Sequence, residues 1–309
     1  MFRLGQYERH IRYLYETARA GTMRAASERL NIATSSVSRQ IAFLESELGL
    51  PLIERGRRVV KLTEAGMLLA EYYREKMAHD EAFISQIQEL RGNRAGQATL
   101  AIGEGFIGEV FSEILQQFSK THPNVSLSVR IAGSNDVLSA IREDDAHIGM
   151  VFHSPPDPKI RSVLTLSQPL KLIAAPDDPI TELKSVSLPD LAGRRLALPE
   201  RGFRIRQLLE PAEMQAGEAL APTLVTNSLS LLKQFARTRQ GLTILTDIVV
   251  IDELRDDSLV ALPLDHPELQ NTKMQFVTRV GRLLPSPVVD LLRTIEVSLR
   301  SFGIETKRS

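Results

Sequence analysis

The sequence contains no cysteine, and this absence removes several kinds of chemistry. The 309-residue chain cannot form a disulfide bond, a thiolate zinc site or a cysteine nucleophile. Two catalytic patterns, G-x-S-x-G and H-E-x-x-H, are also absent. The six histidines are scattered without the spacing of metal ligands, at His10, His79, His122, His147, His153 and His266. The sequence therefore predicts a protein that is not an enzyme and that binds no metal and no cofactor.

Long apolar runs are missing as well. No stretch reaches the roughly 18 to 20 consecutive apolar residues that a membrane span requires. The chain begins MFRLGQYERH, with charges where a signal peptide carries its apolar run. We expect no membrane association and a location in the cytoplasm, where reducing conditions fit the lack of thiols. At 309 residues, two domains joined by a connector are expected.

The formal net charge of the chain is zero. A DNA-binding protein must neutralise phosphates, so this value by itself argues against nucleic acid as a partner. The distribution of charge is more informative. Residues 1–64 contain eleven Arg and Lys against seven Asp and Glu, a net charge of +4. The small N-terminal part is therefore basic, and the compensating acidic residues lie elsewhere.

Three helices are predicted in the first fifty residues. The first ends at Gly21, since glycine tolerates the left-handed conformation that terminates a helix. The second spans residues 23–30. The third is expected to be capped by Thr34 or Ser35 and to close at Gly49. Its inward face consists of apolar residues three or four apart, namely Val37, Ile41, Leu44 and Leu48.

The opposite face of the third helix is polar and suits the major groove of DNA. Hydroxyls can bond base edges and phosphates, while Arg can bind guanine and Gln adenine through two hydrogen bonds. An ordinary solvated face with a serine cap explains the helix equally well when it is considered alone. The predicted DNA-contacting residues on this helix are Thr34, Ser35, Ser36, Ser38, Arg39 and Gln40.

A basic hairpin follows the third helix directly. Residues 54–63 read as a short strand, a glycine turn and a second strand. A hairpin of this kind forms a wing that can straddle phosphates or enter a minor groove. Because the hairpin directly follows the helices, a DNA interface is favoured over a cluster of solvated surface charges that binds no partner. The predicted wing contacts are Arg55, Arg57, Arg58 and Lys61.

These segments together resemble the LysR-type family of bacterial transcription regulators. The matching residues are Ala25-Ala26-Ser27-Glu28-Arg29-Leu30, Val37-Ser38-Arg39-Gln40-Ile41, Leu44-Glu45, Glu47-Leu48-Gly49, Glu54-Arg55 and Leu62-Thr63-Glu64-Ala65-Gly66. Ala33-Thr34-Ser35 stands where the family often has Ser-Gln-Pro, and Ile53 replaces a common Phe, so the preferred operator sequence stays open. The resemblance implies double-stranded operator DNA and RNA polymerase as partners, and a homodimer that assembles to a homotetramer.

A long connector helix is predicted next. Residues 65–90 contain no proline, and one helix of this length spans about 39 Å. Tyr73, Met77, Ile84 and Ile87 follow the spacing of a heptad seam that is interrupted by Asp80. We expect antiparallel pairing of two subunits along this seam. Packing on the chain's own C-terminal domain is the alternative, which the flexible segment at residues 92–96 disfavours.

Beyond residue 97 predicted strands alternate with helices, which argues for parallel sheets. This order resembles the two-lobed effector domain of the same family, a relative of periplasmic binding proteins. The predicted fold class is α/β, with an all-α winged helix-turn-helix, a linker helix and this two-lobed domain. The predicted domains are residues 1–64 for DNA binding, 65–91 for dimerisation and 92–309 for effector binding, with lobe I at 92–166 and 268–309 and lobe II at 167–267.

A small polar effector is expected between the two lobes. In open sheets ligands lie beyond the C-terminal ends of the strands. Arg204 and the Asn227-Ser228 helix start are natural anion holders, although each could equally be a cap or a surface group. The predicted effector-contacting residues are Glu104, Gly105, Phe106, Gly133, Ser134, Phe152, Phe203, Arg204, Asn227, Ser228, Thr246 and Asp247.

Two positions depart from what the family resemblance implies. Family members often have Ser or Thr near position 104 to hold a carboxylate, which Glu104 would repel. Either the alignment is displaced by one residue or the ligand carries a donor or a positive group. His147 stands where the family commonly has Asp, and we expect it to have a structural role.

One motif suggests a different class of protein. Gly103, Gly105 and Gly108 form a G-x-G-x-x-G directly after a predicted strand, as in dinucleotide-binding proteins. The following strand lacks an acidic residue for a ribose hydroxyl, but Arg130 could serve a phosphorylated cofactor. An NADP-dependent oxidoreductase is therefore the alternative to the regulator, although one glycine motif is weak evidence.

Overall fold

The computed structural model describes residues 4–54, 56, 59–91, 95–301 and 306–308. It divides into two compact units, residues 1–84 with 281–283 and residues 85–280 with 284–309. The three wing arginines Arg55, Arg57 and Arg58 lie outside the described residues.

The first unit begins with three helices at the predicted positions, α1 (Glu8–Ala20), α2 (Met23–Leu30) and α3 (Thr34–Leu48). Gly21 ends α1 with a φ of 72°, and its N–H donates to the carbonyls of Thr17 and Ala18. Thr22 caps α2, because its hydroxyl accepts the N–H of Ala25 at 3.1 Å. Helical spacing and turn chemistry therefore predicted this part of the fold.

The expected cap of α3 is wrong. The N-cap is Ala33, and no side chain caps the helix. Thr34 is already helical, and its hydroxyl lies 2.8 Å from the hydroxyl of Ser27. This hydrogen bond joins α2 to the first residue of α3, and the Thr34 side chain caps neither helix.

The predicted apolar faces form one core. Ile11, Leu14, Val37, Ile41 and Leu44 are at most 2% exposed and pack together. The hairpin after α3 closes through an antiparallel bridge between Ile53 and Leu62. The Glu54 N–H donates to the Lys61 carbonyl at 2.8 Å. Helix α4 (Glu64–Leu90) follows as one segment of 27 residues, as the sequence predicts.

The second unit contains two mixed sheets. Its strands are β1 (Gly96–Ile102), β2 (Val125–Ile131), β3 (Ile148–Phe152), β4 (Ile160–Ser167), β5 (Leu170–Ala174), β6 (Leu196–Pro199), β7 (Leu224–Thr226), β8 (Leu242–Thr246), β9 (Val260–Pro263), β10 (Lys273–Arg279) and β11 (Thr306–Arg308). Its helices are α5 (Glu109–Thr121), α6 (Ser134–Arg142), α7 (Arg204–Ala216), α8 (Leu229–Arg237), α9 (Ile251–Arg255), α10 (Pro267–Gln270) and α11 (Ser286–Ser301).

Each sheet forms one lobe. The first sheet has the strand order β11-β4-β10-β3-β1-β2, and the second has the order β7-β6-β8-β5-β9. The chain passes from β4 in the first sheet to β5 in the second and returns from β9 to β10. Each sheet is covered by helices and has its own buried core.

The expectation of parallel sheets holds for only part of each sheet. Strands β1, β2 and β3 are parallel, as are β6, β7 and β8. The strands that carry the chain between the lobes pair antiparallel with their neighbours. The alternation of strand and helix predicts parallel pairing only where a helix separates consecutive strands of one sheet. Strands β4 and β5 follow one another directly and belong to different sheets, so the rule does not apply to them.

Candidate functional site

The outward face of α3 carries exposed polar side chains. Ser35, Ser38 and Arg39 are exposed, whereas Ser36 and Gln40 are half-buried. The Arg39 guanidinium lies over its own helix, with Nε 3.3 Å from the Ser35 carbonyl oxygen and Nη2 3.5 Å from the Ser36 hydroxyl. Within the described part of the chain Arg39 forms no ion pair with a carboxylate. Its charge is therefore available to an anionic partner.

The wing contributes one described cation. The Lys61 ammonium lies 3.3 Å from a carboxylate oxygen of Glu54, and its side chain is 61% exposed. An exposed pair of this kind is weak and can exchange for a phosphate contact. The other three predicted wing contacts, Arg55, Arg57 and Arg58, are among the residues that the structure does not describe.

A cavity of about 490 Å³ lies between the two sheets of the second unit. It opens at the C-terminal ends of β1, β2 and β3 on one side and of β6, β7 and β8 on the other. Ten of the twelve predicted effector residues line it, namely Glu104, Gly105, Phe106, Gly133, Ser134, Phe152, Phe203, Arg204, Asn227 and Thr246.

The remaining two predicted residues support the wall of the cavity and do not line it. Ser228 is the N-cap of α8, and its hydroxyl donates to Oε1 of Glu104 at 3.1 Å. The Asp247 carboxylate lies 2.6 Å from the Lys171 ammonium. Both polar groups are thus engaged with other parts of the chain.

Sequence reasoning missed a further set of lining residues. Six are apolar, and four adjoin a predicted residue in the chain, which is the signal that could have found those four. The missed residues are Gly103, Ile131, Ala132, Met150, Glu200, Ile205, Leu229 and Val249.

Glu104 connects the two lobes at the edge of this cavity. Its Oε1 accepts the Ser228 hydroxyl at 3.1 Å and the Ser230 backbone N–H at 3.4 Å. Both donors belong to the first turn of α8, where a negative charge is stabilised by the helix dipole. A carboxylate of the first lobe therefore occupies the N-terminus of a helix in the second.

Arg204 and His153 form a second contact across the cavity. The Nε of Arg204 donates to the His153 carbonyl at 2.9 Å, and its Nη1 donates to the Gln207 side chain at 3.3 Å. Burial lowers the pKa of His153, and the nearby charges of Arg204 and Lys273 lower it further. The neutral imidazole is thus favoured beside these cations.

His147 has the structural role expected of it. The residue is 5% exposed, and its Nδ1 accepts the backbone N–H of Thr99 at 3.0 Å. The backbone N–H of His147 donates to the Thr99 carbonyl at 2.8 Å. The imidazole and the backbone of His147 therefore connect the start of β3 to β1.

The glycine motif brings the two lobes close together. A Cβ on Gly105 would lie 3.0 Å from Leu229 and Val249, and one on Gly108 would lie 2.7 Å from a carboxylate oxygen of Asp252. The same Asp252 oxygen accepts the N–H of Glu109 at 3.0 Å. Close packing of one lobe on the other therefore explains these glycines without a pyrophosphate.

The predicted dimerisation seam on α4 needs one correction. Tyr73 is 5% exposed and packs in the core with Ile11 and Leu14, so it is not part of a free face. The other three predicted residues are exposed, at 49% for Met77, 56% for Ile84 and 37% for Ile87. Five exposed apolar residues of the helix were missed, namely Met67, Leu68, Tyr72, Phe83 and Leu90.

No described helix combines the length and the apolar composition that crossing a membrane requires. No three His, Asp or Glu side chains in the described part of the chain are grouped so that they could hold a metal ion.

A helix-turn-helix with a wing and a two-lobed α/β domain around a cavity define a ligand-responsive transcription regulator. The sequence model described as "Bacterial regulatory helix-turn-helix protein, lysR family" matches residues 8–67. The model described as "LysR substrate binding domain" matches residues 91–298. The chain belongs to the LysR family of transcriptional regulators.

Relatives and solved structures agree with this assignment. The chain is 26% identical over 255 residues to a probable nitrogen assimilation transcriptional activator of Synechococcus elongatus, with 82% of each chain covered. It is 26% identical over 301 residues to the hydrogen peroxide-inducible genes activator of Pectobacterium carotovorum, covering 95% of this chain and 97% of the relative. A full-length OxyR variant from Pseudomonas aeruginosa has a similar fold, with a TM-score of 0.60, 18% identity and coverage of 94% of this chain and 93% of that one. The comparisons give no support to the oxidoreductase alternative.

Proposed function

We propose that this regulator inserts α3 into the major groove of a dyad-symmetric operator, with the wing on the adjacent backbone. The observation that carries the proposal is the exposed face of α3. Arg39 and the neighbouring serines lie on the outward face of a helix whose opposite face is packed in the core, so the backbone positions that carry these side chains are fixed relative to one another. Residues 1–64 form the DNA-binding domain in this proposal, and the protein acts in the cytoplasm.

Residues 65–91 form a dimerisation helix, and 92–309 an effector domain, with its two lobes at the boundaries predicted from the sequence. The exposed apolar residues along α4 support pairing of two copies, because a lone helix with such a face would leave it in water. Further assembly to a tetramer and contact with RNA polymerase complete the proposal.

A small molecule bound in the cavity between the lobes is the proposed signal. A ligand that contacts both lobes favours the arrangement in which it makes more contacts, and the equilibrium shifts by that difference in affinity alone. Peroxide is the inducer that one relative's name states. Sensing through thiol oxidation requires cysteine, and this chain has none. The cavity is therefore the better candidate for the sensor.

DNA binding by the full chain across a salt series tests the proposal. A fragment from beside the protein's own gene is compared with a scrambled duplex of the same length by fluorescence anisotropy. Tight binding to the fragment, with log Kd depending linearly on log salt concentration, is expected. Absent or salt-insensitive binding to both duplexes would reject the DNA-binding role.

Arg39→Ala should weaken binding to the specific fragment and have little effect on the scrambled one. A lost contact to a base edge costs about 1–3 kcal/mol, or roughly 5- to 150-fold in affinity. Arg57→Ala, in the predicted wing, should weaken both complexes equally and reduce the salt slope by about one. Arg130→Ala removes an exposed cation of β2 and serves as the control. Equal losses on both duplexes for Arg39→Ala would show that this residue does not read bases.

A further inference from the structure

The charges that line the cavity are unequal. Glu104 and Glu200 bring two carboxylates, and Arg204 brings one guanidinium, so the lining carries a net charge of −1. Glu200 makes no side-chain hydrogen bond or ion pair with any described residue. A ligand that enters this space leaves bulk water behind, and an uncompensated charge then acts on it more strongly.

Glu104 already occupies one of the helix N-termini at which an anionic ligand group would be stabilised. Its Oε1 accepts the Ser228 hydroxyl at 3.1 Å and the Ser230 N–H at 3.4 Å, both at the N-terminus of α8. A second carboxylate there would meet a like charge and would have to displace a group of the chain itself. Both of these donors are neutral, so the Glu104 carboxylate keeps its formal charge and still attracts a cation.

The single positive charge of Arg204 does not outweigh the two carboxylates in the lining. Two of its nitrogens, Nε and Nη1, donate to neutral acceptors, the His153 carbonyl and the Gln207 side chain. The guanidinium is therefore anchored to the rim formed by β3 and α7. Glu104 lies at a different part of the wall, against α8.

The rest of the lining is largely apolar and aromatic. Phe106, Phe152 and Phe203 contribute three rings, and Met150, Ile131 and Val249 contribute aliphatic surface. Aromatic faces attract cations as well as apolar groups. Hydrophobic walls with a few charged groups are the usual composition of a site for a small organic molecule.

We propose that the ligand of this cavity is a small organic cation, an amine whose ammonium group is bound by Glu104, with Glu200 adding negative charge to the same lining, and whose body is apolar. This inference rests on the proposed function, in which the cavity is the effector site. It excludes simple carboxylates from the position that Glu104 occupies.

Matched probes test the charge preference on the full-length protein. Benzylamine and phenethylamine are compared with benzoate and phenylacetate by isothermal titration and by the shift in Tm. The amines should bind and raise Tm, and the carboxylates should do neither. Binding of the carboxylates in preference to the amines, or of none of the four compounds, would overturn the proposal.

Two substitutions of Glu104 test whether this residue causes the preference for amines over carboxylates. Glu104→Gln keeps the acceptor for Ser228 but removes the charge, so amine binding should weaken at least about tenfold. Glu104→Thr removes the carboxylate from the N-terminus of α8 and should therefore allow benzoate to bind there. Glu113→Gln, an exposed position on α5, is the matched control and should leave amine affinity unchanged. An amine affinity that is the same in Glu104→Gln and the wild type would refute the role of Glu104.

A third variant separates failure of this inference from failure of the proposed function. Gly202 lines the cavity, and a Cβ there would meet no atom within 4 Å, so Gly202→Phe adds a bulky ring to the cavity wall without a backbone clash, and a crystal structure of the variant shows whether the ring fills the cavity. Amine binding that survives Gly202→Phe would show that the cavity is not the ligand site. Amine binding that is lost in Gly202→Phe but kept in Glu104→Gln would leave the cavity as the site and overturn only the charge preference.

Discussion

His153 directly follows β3 and has a backbone φ of 42°, in the left-handed region that few side chains adopt. Its N–H donates to the Lys273 carbonyl at 2.6 Å, and its own carbonyl accepts from Arg204. Nδ1 is buried and has no hydrogen-bond partner among the described residues. The imidazole therefore lies among cations in a place where protonation is disfavoured.

His153→Asn should reduce the loss of stability on acidification. Burial and the charges of Arg204 and Lys273 lower the pKa of His153 in the folded state, so the unfolded chain takes up its proton first as the pH falls below about 6.5. This contribution to stability is complete above that pH and is lost as the pH falls toward the folded-state pKa. Asn tolerates the left-handed conformation and does not titrate. The measurement is Tm between pH 7 and pH 5.

His79→Asn provides the control, since His79 is exposed on α4. The wild type and His79→Asn should lose Tm in parallel over this range, and His153→Asn should lose less. Identical pH slopes for all three proteins would contradict the assignment.

Single residues also show how far the sequence predicts the candidate site. The rule that ligands lie beyond strand ends was enough to select ten residues that line the cavity. Met150 in the middle of β3 and Ile205 in the first turn of α7 were missed, because an apolar side chain looks the same in sequence whether it faces a core or a cavity. The partner of Glu104 was also unpredictable, since Ser230 lies 126 positions away in the chain.

Among the elements, α4 shows why periodicity alone does not identify an interface. The helix carries more than one apolar stripe. Tyr73 follows the heptad spacing but packs against α1, while Leu68, Tyr72, Phe83, Ile87 and Leu90 share another side of the helix and are 37–84% exposed. Only the packing of the neighbouring helices decides which stripe is covered.

Phe83→Glu should dissociate the proposed dimer. Phe83 is 62% exposed in the single chain, and a two-fold interface would bury it twice. Burying a large apolar side chain contributes about 1.5–3 kcal/mol, so two copies correspond to at least about a hundredfold in the dissociation constant. Sedimentation equilibrium over a dilution series measures the change.

Met214→Glu is the matched control for this experiment. Met214 is 84% exposed on α7, and the substitution introduces the same charge at a similar apolar side chain. Its oligomeric state should equal that of the wild type. A Phe83→Glu protein that sediments like the wild type would place the dimer interface elsewhere.

The sheets show a similar limit at the level of elements. Strands β6, β7 and β8 follow the predicted alternation, because each is a short apolar run separated from the next by a helix. Strand β4 does not follow it, since IRSVLTLS is of mixed polarity and pairs on both sides only after β10 returns from the second lobe. Pairing between strands more than 100 positions apart is not visible in a local pattern.

For the molecule as a whole, signalling would depend on the contact between the two lobes. Asp252→Ala should weaken this contact, because the carboxylate accepts the Glu109 N–H at the start of α5 and packs on Gly108. A hydrogen bond to a charged group contributes about 1.5–3 kcal/mol. The distance between spin labels on Ser128→Cys of the first lobe and Met214→Cys of the second should become more broadly distributed.

Asp256→Ala is the control, since Asp256 carries the same charge at the end of α9 and accepts the N–H of Ser258 within its own loop. Its label distances should match those of the wild type. Unchanged distances in Asp252→Ala would show that other contacts hold the lobes.

The hydrogen bonds of Glu104 with α8 also affect the dose response of such a sensor. A ligand ammonium that requires Oε1 of Glu104 competes with Ser228 and Ser230 for that oxygen, and its apparent affinity is multiplied by the fraction of molecules in which Oε1 is free. Strengthening or weakening these two hydrogen bonds would move the midpoint of induction without altering any group that recognises the apolar body of the ligand. The sensitivity of the regulator and its selectivity could therefore change independently during evolution.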